Sequence, residues 1–310
     1  MLLLTAGARH YAVRRCPAVV GSAQFRWFDP LSEFGPLEEP RPAPQLLPLL
    51  IVLPGLDGSG ITAWTQYPQL AQEYELQALS ISPADRSSFD TIVAAVADRA
   101  TEALSREVFV LGESMGAGVA IQVARQLPKR ISGVILVSPA TSWDETWLGR
   151  MRGQLVVLPD PLLALIVSLT SYQLLDAAQI LSTFRRILTG ERAALLDTPE
   201  RLEYAWRVVR AMPSRLSSPP GTIRHRIAEW VEPTLAAGRA VADLTTPILI
   251  VAGTADLRVP AAAEARRIGR EARSLCHVHF VEGAGHAGAT DDRVDMTAVL
   301  ASWRSSLRDQ

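Results

Sequence analysis

Residues 108–118 read V-F-V-L-G-E-S-M-G-A-G, and this stretch decides the fold. Four apolar residues typical of a buried strand run into a glycine, and Ser114 then stands between Gly112 and Gly116. The residues that follow have the composition of a helix, which Pro128 ends. A G-x-S-x-G pattern between a strand and a helix is typical of a sharp turn that lifts the serine hydroxyl clear of the sheet edge. The pattern therefore predicts that Ser114 is a nucleophile, and a plain turn serine is the alternative.

Short apolar runs alternate with helical segments along most of the chain. In the predicted helix 88–104, apolar residues recur at helix spacing, and a second helix is predicted over 115–127. Continuous apolar strands that alternate with helices indicate an α/β fold, with a mostly parallel sheet covered by helices on both faces. The six predicted strands are 49–53, 76–81, 108–111, 133–137, 248–251 and 277–281.

One long interval breaks this alternation. Residues 141–243 read as helical throughout, which predicts a helical cap inserted after the strand 133–137, between core segments 25–140 and 244–310. Within the cap, residues 161–175 carry no charge. This run is shorter than the ~20 residues that cross a bilayer, so it predicts a buried cap helix. Such a helix is also compatible with lining an acyl pocket or touching a membrane surface.

The N-terminal residues 1–24 are rich in arginine, and no acidic residue precedes Asp29. The apolar stretch 2–4 is too short for a secretory signal, and the arginines follow it instead of preceding it. The segment is therefore either an organelle transit peptide or an ordinary mobile tail.

The composition excludes several classes of protein. With 48% hydrophobic and 20% charged residues and a net charge of −1, the chain has no basic field that would bind nucleic acid. Its two cysteines, Cys16 and Cys276, make neither a disulfide framework nor a zinc site and indicate a reducing compartment. We expect no metal and no organic cofactor.

A serine hydroxyl becomes a good nucleophile when a base takes its proton and a carboxylate orients that base. In α/β-hydrolases the three follow the order serine, acid, histidine. Asp256 follows the strand 248–251, and His286 follows the strand 277–281. The sequence therefore predicts an α/β-hydrolase fold with Asp256 as acid and His286 as base. A turn or N-cap role is the alternative for Asp256. The rival acid is Asp144, after the strand 133–137. Glu282, Asp291 and Asp292 are nearer His286 in sequence, but we expect them on the same loop as His286.

The tetrahedral intermediate also needs hydrogen-bond donors for its oxyanion. The backbone N–H of Met115, directly after the nucleophile, is one predicted donor. The loop after the first predicted strand, V-L-P-G-L-D-G, offers the N–H of Leu56 as the second. Asp57 in this loop is either a turn residue, which we favour, or part of the pocket mouth.

Several stretches together resemble one family, the phytyl ester synthases of plant chloroplasts, which are also described as esterase/lipase/thioesterase proteins. The resemblance covers about 25–300, nearly the whole chain. The matching stretches are R-W-F at 26–28 with Pro30 and 35–36, L-P-G-L-D-G at 53–58, D-R-S-S-F at 85–89, G-E-S-M-G at 112–116, S-P-A-T-S at 138–142, G-H at 285–286 and D-D-R-V-D at 291–295.

This resemblance implies plastid lipid metabolism, in which fatty acyl groups move onto phytol or diacylglycerol or are hydrolysed from lipids and thioesters. The sequence departs from the family in two ways. The plant proteins carry a second half that resembles diacylglycerol acyltransferases, whereas this chain stops soon after the histidine loop, and Gly288 and Ala289 stand where leucines are expected. The missing half weakens the expectation of acyltransferase activity more than that of ester hydrolysis.

We therefore expect a serine-dependent hydrolase or acyltransferase whose substrate is a fatty-acyl lipid or thioester. Its acyl-enzyme on Ser114 would be resolved by water or by an alcohol acceptor. The expected location is the plastid, with the cytoplasm as the alternative, and the cap is expected to contact a membrane peripherally. The alternative function is a non-catalytic hydrolase-fold protein that binds a lipid or terpenoid.

Overall fold

The computed structural model describes residues 24–34, 43–103, 105–174, 199–216, 218–272, 275–286 and 294–308. The predicted leader 1–24, apart from residue 24, lies outside these ranges. So do residues 35–42 and the residues Gly288, Ala289, Asp291 and Asp292.

The described residues form a seven-stranded sheet with the order β1-β3-β2-β4-β5-β6-β7. Strands β2 to β7 run parallel, and β1 pairs with β3 in the antiparallel direction at one edge. The predicted, mostly parallel sheet is confirmed. The strands are β1 Phe25–Phe28, β2 Leu49–Leu53, β3 Glu75–Ile81, β4 Val108–Glu113, β5 Gly133–Val137, β6 Ile248–Gly253 and β7 Cys276–Val281.

Helices cover both faces of this sheet. One apolar cluster joins α3 and α4 to the sheet, and a second joins α2 and α11 to the opposite face. The described helices are α1 Pro30–Phe34, α2 Tyr67–Glu73, α3 Phe89–Glu102, α4 Gly116–Gln126, α5 Trp147–Arg150, α6 Arg152–Leu155, α7 Asp160–Leu174, α8 Pro199–Leu216, α9 Pro220–Arg239, α10 Ala261–Glu271 and α11 Met296–Arg308.

The central strands are buried along their whole length, because helices cover the sheet from both sides. Every residue of β2, β4, β5 and β6 is buried, in agreement with the continuous apolar runs of the sequence. Their register aligns Leu53 with Gly112, and Val137 with both Glu113 and Val251. The carboxyl ends of these strands therefore lie side by side, and the loops that follow them share one edge of the sheet.

The interval 141–243 contains helices α5 to α9, and no strand occurs in its described residues. Helix α9 packs on α4 of the core, where a Cβ on Gly118 would come within 2.7 Å of the Thr234 Cα. This part of the predicted cap is therefore in direct contact with the core. The boundaries 141 and 243 stay a prediction. The cap helix predicted as buried over 161–175 is α7, which is buried only in part, since Leu163 is buried whereas Leu162, Leu165 and Leu169 are exposed. None of the helices that the structure describes is both long and apolar enough to span a bilayer.

Candidate active site

Ser114 occupies a strained turn between β4 and α4. Its φ angle is +51°, in the left-handed region that residues with a Cβ seldom adopt. The flanking glycines leave room for this turn. A Cβ on Gly112 would overlap the Gly116 carbonyl, and a Cβ on Gly116 would lie 2.5 Å from the Pro54 carbonyl oxygen. The G-x-S-x-G spacing therefore reflects backbone segments that approach too closely for any larger residue.

The backbone of Ser114 is held by the neighbouring strand. The Ser114 N–H donates to the Val137 carbonyl at 2.9 Å, and the Ala140 N–H donates to the Ser114 carbonyl at 3.1 Å. These two bonds join the turn to the end of β5. They keep the serine side chain at the carboxyl edge of the sheet, although its backbone conformation is unfavourable.

The structure brings together the three side chains predicted as nucleophile, acid and base. His286 Nε2 lies 3.0 Å from Ser114 Oγ, and His286 Nδ1 lies 2.8 Å from Asp256 Oδ2. Because a carboxylate can only accept, Nδ1–H donates to Asp256, and Nε2 of the neutral imidazole accepts from the Ser114 hydroxyl. This is the arrangement in which a histidine can take the serine proton.

Asp256 is held rigidly beneath the histidine. Its Oδ1 accepts from the N–H groups of Arg258 and Val259 at 2.8 and 3.2 Å, and its side chain is 1% exposed. Asp256 is thus a turn residue as well as the histidine's partner. The rival Asp144 lies in the 3-10 turn Trp143–Glu145, and Glu282 is exposed after β7.

The two predicted oxyanion donors belong to residues that line the same cavity. The Gly55 carbonyl accepts from the Gly58 N–H at 3.1 Å, so the N–H of Leu56, on the far side of the same peptide, points the other way. Neither the Leu56 nor the Met115 N–H has a backbone acceptor within the described ranges. Both residues line the cavity with Ser114, which leaves these donors available to a bound oxygen.

A cavity of about 180 Å³ opens above Ser114 and His286. The Asp57 carboxylate accepts from the Ser59 N–H at 2.8 Å and from its hydroxyl, so Asp57 is a turn residue and also lines the cavity. The apolar residues of the wall are Leu56, Met115, Val137, Ala140, Trp143 and Val259. In the described part of the chain, no three His, Cys, Asp or Glu side chains are grouped as metal ligands.

Glu113 is a buried carboxyl group beside the nucleophile. It ends β4 and lines the cavity, and its Oε2 has no hydrogen-bond partner among the described residues. Burial, together with the negative charge of Asp57, raises the pKa of Glu113 from 4.5 to about 8. The group is therefore mostly protonated at neutral pH.

Arg258, from the Asp256 loop, supplies positive charge to the cavity wall. Burial lowers the pKa of Arg258 to about 10, and the charge of Asp256 opposes this change. Neither Arg258 nor Glu113 was predicted as part of the site from the sequence. Their positions, two residues after the acid and directly before the nucleophile, were the available signals.

The sheet order, the strained serine and the Asp–His pair beside it define an α/β-hydrolase, which confirms the predicted fold. The chain belongs to the serine aminopeptidase, S33, family, whose model matches residues 83–293, well over half of the chain. The matched range includes Ser114, Asp256 and His286. The chain is thus a hydrolase by family.

The chain is also similar to two chloroplastic proteins of Arabidopsis thaliana. It is 26% identical to phytyl ester synthase 1 over 300 residues, which are 91% of this chain and 40% of that protein. It is 31% identical to phytyl ester synthase 2 over 150 residues, which are 47% of this chain and 20% of that protein. The predicted resemblance is confirmed, and the chain spans less than half the length of these relatives.

Solved structures with the same fold are more distant in sequence. MenH from S. aureus has a TM-score of 0.58 at 15% identity, over 91% of this chain and 98% of its own. A thermophilic esterase from Thermogutta terrifontis also has a TM-score of 0.58, at 19% identity, over 84% and 90% of the two chains. These likenesses concern the fold alone.

The raised pKa of Glu113 makes a prediction about stability. The folded state binds the proton of the Glu113 carboxyl more tightly than the unfolded state does. The contribution of this protonation to the free energy of unfolding is therefore complete below pH 4.5 and is lost as pH rises through about 8. Glu113→Gln carries no charge at any pH. Its advantage in free energy of unfolding over the unmodified protein should grow across this window, by at most about 1.4 kcal/mol per pH unit. Denaturant titrations at pH 5 and 8.5 measure this difference.

Glu145→Gln, at an exposed glutamate, is the control and should show no such trend. An equal stability difference between Glu113→Gln and the unmodified protein at both pH values would contradict the burial argument.

Proposed function

We propose that the protein is a serine-dependent acyl hydrolase or acyltransferase with Ser114 as nucleophile. The observation that carries this proposal is the continuous hydrogen-bonded chain from Ser114 Oγ through His286 to Asp256, at 3.0 and 2.8 Å. The strained turn under Ser114 supports it further, because such strain is typical of functional sites.

In the proposed reaction, Ser114 Oγ attacks the carbonyl carbon of an acyl ester or thioester while His286 Nε2 takes the hydroxyl proton. The carbonyl oxygen becomes an oxyanion and accepts hydrogen bonds from the N–H groups of Leu56 and Met115. The intermediate collapses when His286 returns the proton to the leaving alcohol or thiol, and an acyl-enzyme remains. Water or an alcohol then attacks the acyl-enzyme by the reverse sequence of proton transfers.

Fatty-acyl lipids are the proposed substrate class, with water or a long-chain alcohol as acceptor. The two phytyl ester synthases support this choice, and the apolar wall of the cavity is compatible with it. The chloroplastic relatives also support a plastid location. Organelle fractionation with immunoblotting tests this location, and recovery in the cytosolic fraction would favour the cytoplasm.

We also propose that the cap contacts a membrane surface peripherally. Leu162, Leu165 and Leu169 recur at spacings of three and four on one face of α7 and are 51%, 54% and 63% exposed. Trp147 of α5 is 70% exposed. Exposed apolar side chains of this kind can enter the interfacial region of a lipid layer.

Loss of the hydroxyl in Ser114→Ala should lower kcat on a p-nitrophenyl acyl ester by about 10⁴- to 10⁶-fold, because nucleophile, base and acid act as a unit. It should also abolish covalent labelling by a fluorophosphonate, read by intact-protein mass spectrometry. Ser138→Ala is the matched control, since Ser138 also has a positive φ directly after a strand but lines no part of this cavity. A folded, unmodified protein that resists labelling, with lipid binding retained in Ser114→Ala, would favour the non-catalytic alternative.

Products from a plastid lipid extract should distinguish the two acceptors. With the extract alone, we expect free fatty acids; with added phytol, an acyltransferase would divert acyl groups into phytyl esters. Mass spectrometry of both mixtures, with Ser114→Ala as the blank, measures the ratio. Fatty acid release that phytol does not change would assign water as the acceptor, and no release in either mixture would contradict lipid substrates.

The substitution Leu165→Asp should weaken binding to vesicles of plastid lipids, because it places a charge in the apolar face of α7. We expect a fall of about tenfold in the partition coefficient, measured by vesicle flotation. Leu46→Asp is the control, since Leu46 is an exposed leucine in the 3-10 turn Pro44–Leu46, outside the interval predicted as the cap. Equal binding by both variants would exclude α7 as the contact surface.

A further inference from the structure

Arg226 is a fully buried arginine that the proposed reaction does not use. It lies on α9, in the interval predicted as a cap, and is 0% exposed. Its guanidinium stacks on the Trp230 ring, with 5.0 Å between Cζ and the ring centroid. Burying a charge in this way is costly unless hydrogen bonds and nearby charges compensate for it. The hydrogen-bond acceptors of the guanidinium show which segments of the chain Arg226 joins.

The guanidinium donates to three backbone carbonyls on two different loops. Nη1 donates to the Leu56 carbonyl at 2.8 Å. Nη2 donates to the carbonyls of Ile81 and Ser82, at 3.0 and 3.2 Å, at the carboxyl end of β3. The planar fork offers two terminal nitrogens in fixed geometry, one for each segment, whereas a lysine side chain offers a single nitrogen. Arg226 therefore joins the loop after β2 that carries Leu56, here called the oxyanion loop, to the end of the neighbouring strand β3.

These bonds complete the fixation of Leu56. The preceding carbonyl, of Gly55, is held by the Gly58 N–H, and the carbonyl of Leu56 itself is held by Arg226. With both carbonyls bound, the intervening N–H keeps one direction, opposite to the Gly55 carbonyl of the same peptide. Gly58 has a φ of +73°, and a Cβ there would come within 2.7 Å of both terminal guanidinium nitrogens. The loop and the arginine thus fit closely against each other.

Helix α9 is itself anchored on the loop after β3. Trp230 Nε1 donates to the Ser87 carbonyl at 3.1 Å, and the Thr222 hydroxyl donates to the Pro83 carbonyl. Asp85 shapes this loop by accepting from the Ser87 N–H at 2.8 Å. The loop after β3, which includes the D-R-S-S-F stretch, therefore holds α9 in place and with it the side chain of Arg226.

The positive charge of Arg226 also acts electrostatically on the oxyanion loop. Burial lowers the pKa of Arg226, and the carboxylates of Asp57 and Asp85 oppose that change. An arginine remains charged in a protein. A positive charge hydrogen-bonded to the oxyanion loop favours negative charge that develops on the other side of that loop.

We propose that Arg226 is a positioning residue for the oxyanion hole, acting through the Leu56 peptide without touching the substrate. This inference rests on the proposed acyl-transfer function, because it assigns the Leu56 N–H to the oxyanion. A donor that turns away from the oxyanion stabilises the transition state less, whereas ground-state binding in the apolar cavity changes little.

The test compares Arg226→Lys and Arg226→Met with the unmodified protein on a p-nitrophenyl acyl ester. We expect Arg226→Met to lower kcat about 10²-fold, the loss typical of one oxyanion donor, with KM within about threefold. Arg226→Lys should lower kcat about tenfold, because an ammonium reaches only one of the two loops. Affinity for a trifluoromethyl ketone, whose adduct with the serine carries an oxyanion, should fall in parallel with kcat.

Arg224→Lys and Arg224→Met are the matched controls. Arg224 lies two residues away on the same helix and pairs at the surface with Asp160, at 2.7 Å. Both control variants should keep the kcat of the unmodified protein. All assays are run well below each variant's unfolding temperature, so that a loss of stability does not appear as a loss of kcat.

The outcomes separate this inference from the proposed function. If the unmodified protein neither turns over the ester nor binds the ketone, the proposed function fails first. If it is active and folded Arg226→Met keeps its kcat, the positioning role is wrong and Arg226 only stabilises α9. If Arg226→Met does not fold, Arg226→Lys decides: a lowered kcat at unchanged KM supports the role, and an unchanged kcat overturns it.

Discussion

The left-handed backbone of Ser114 is the constraint on which the candidate site depends. A φ of +51° is costly for a residue with a Cβ, and it persists because the surroundings allow no other path. Gly112 and Gly116 let β4, α4 and the Pro54 carbonyl approach closely, and two backbone bonds tie Ser114 to the end of β5. The strain is stored locally and compensated by the packing of the central sheet.

The rest of the site follows from strand register. Because β2, β4, β5 and β6 are parallel and end together, the loops that carry Leu56, Ser114 and Asp256 leave the sheet at neighbouring points. His286 follows β7, the next strand along this edge. Side chains separated by up to 172 residues in sequence thus meet without any long excursion of the chain. Parallel topology brings them within hydrogen-bonding distance.

Local patterns predicted the parts of the molecule that depend on local physics. Short, largely apolar runs predicted all six parallel strands, and the G-x-S-x-G spacing predicted the turn at Ser114. Strand β1 was missed because its four residues are only partly buried and pair at an edge, so they carry no continuous apolar run. Arg226 was missed for a different reason. Nothing in an amphipathic helix shows which of its arginines will be buried against carbonyls 144 to 170 residues away.

The buried titratable groups around the cavity have related electrostatic effects on the proposed reaction. An ionised Glu113 next to Ser114 would repel an oxyanion forming there, but burial keeps this carboxyl mostly protonated at neutral pH. Arg258 on the cavity wall and Arg226 behind the Leu56 peptide both remain positive. In the proposed reaction, the negative charge of Asp256, which is turned toward His286, favours the imidazolium that forms when Ser114 loses its proton. Arg226, Arg258 and Asp256 therefore favour the charge distribution of the proposed transition state, and the protonated Glu113 does not oppose it.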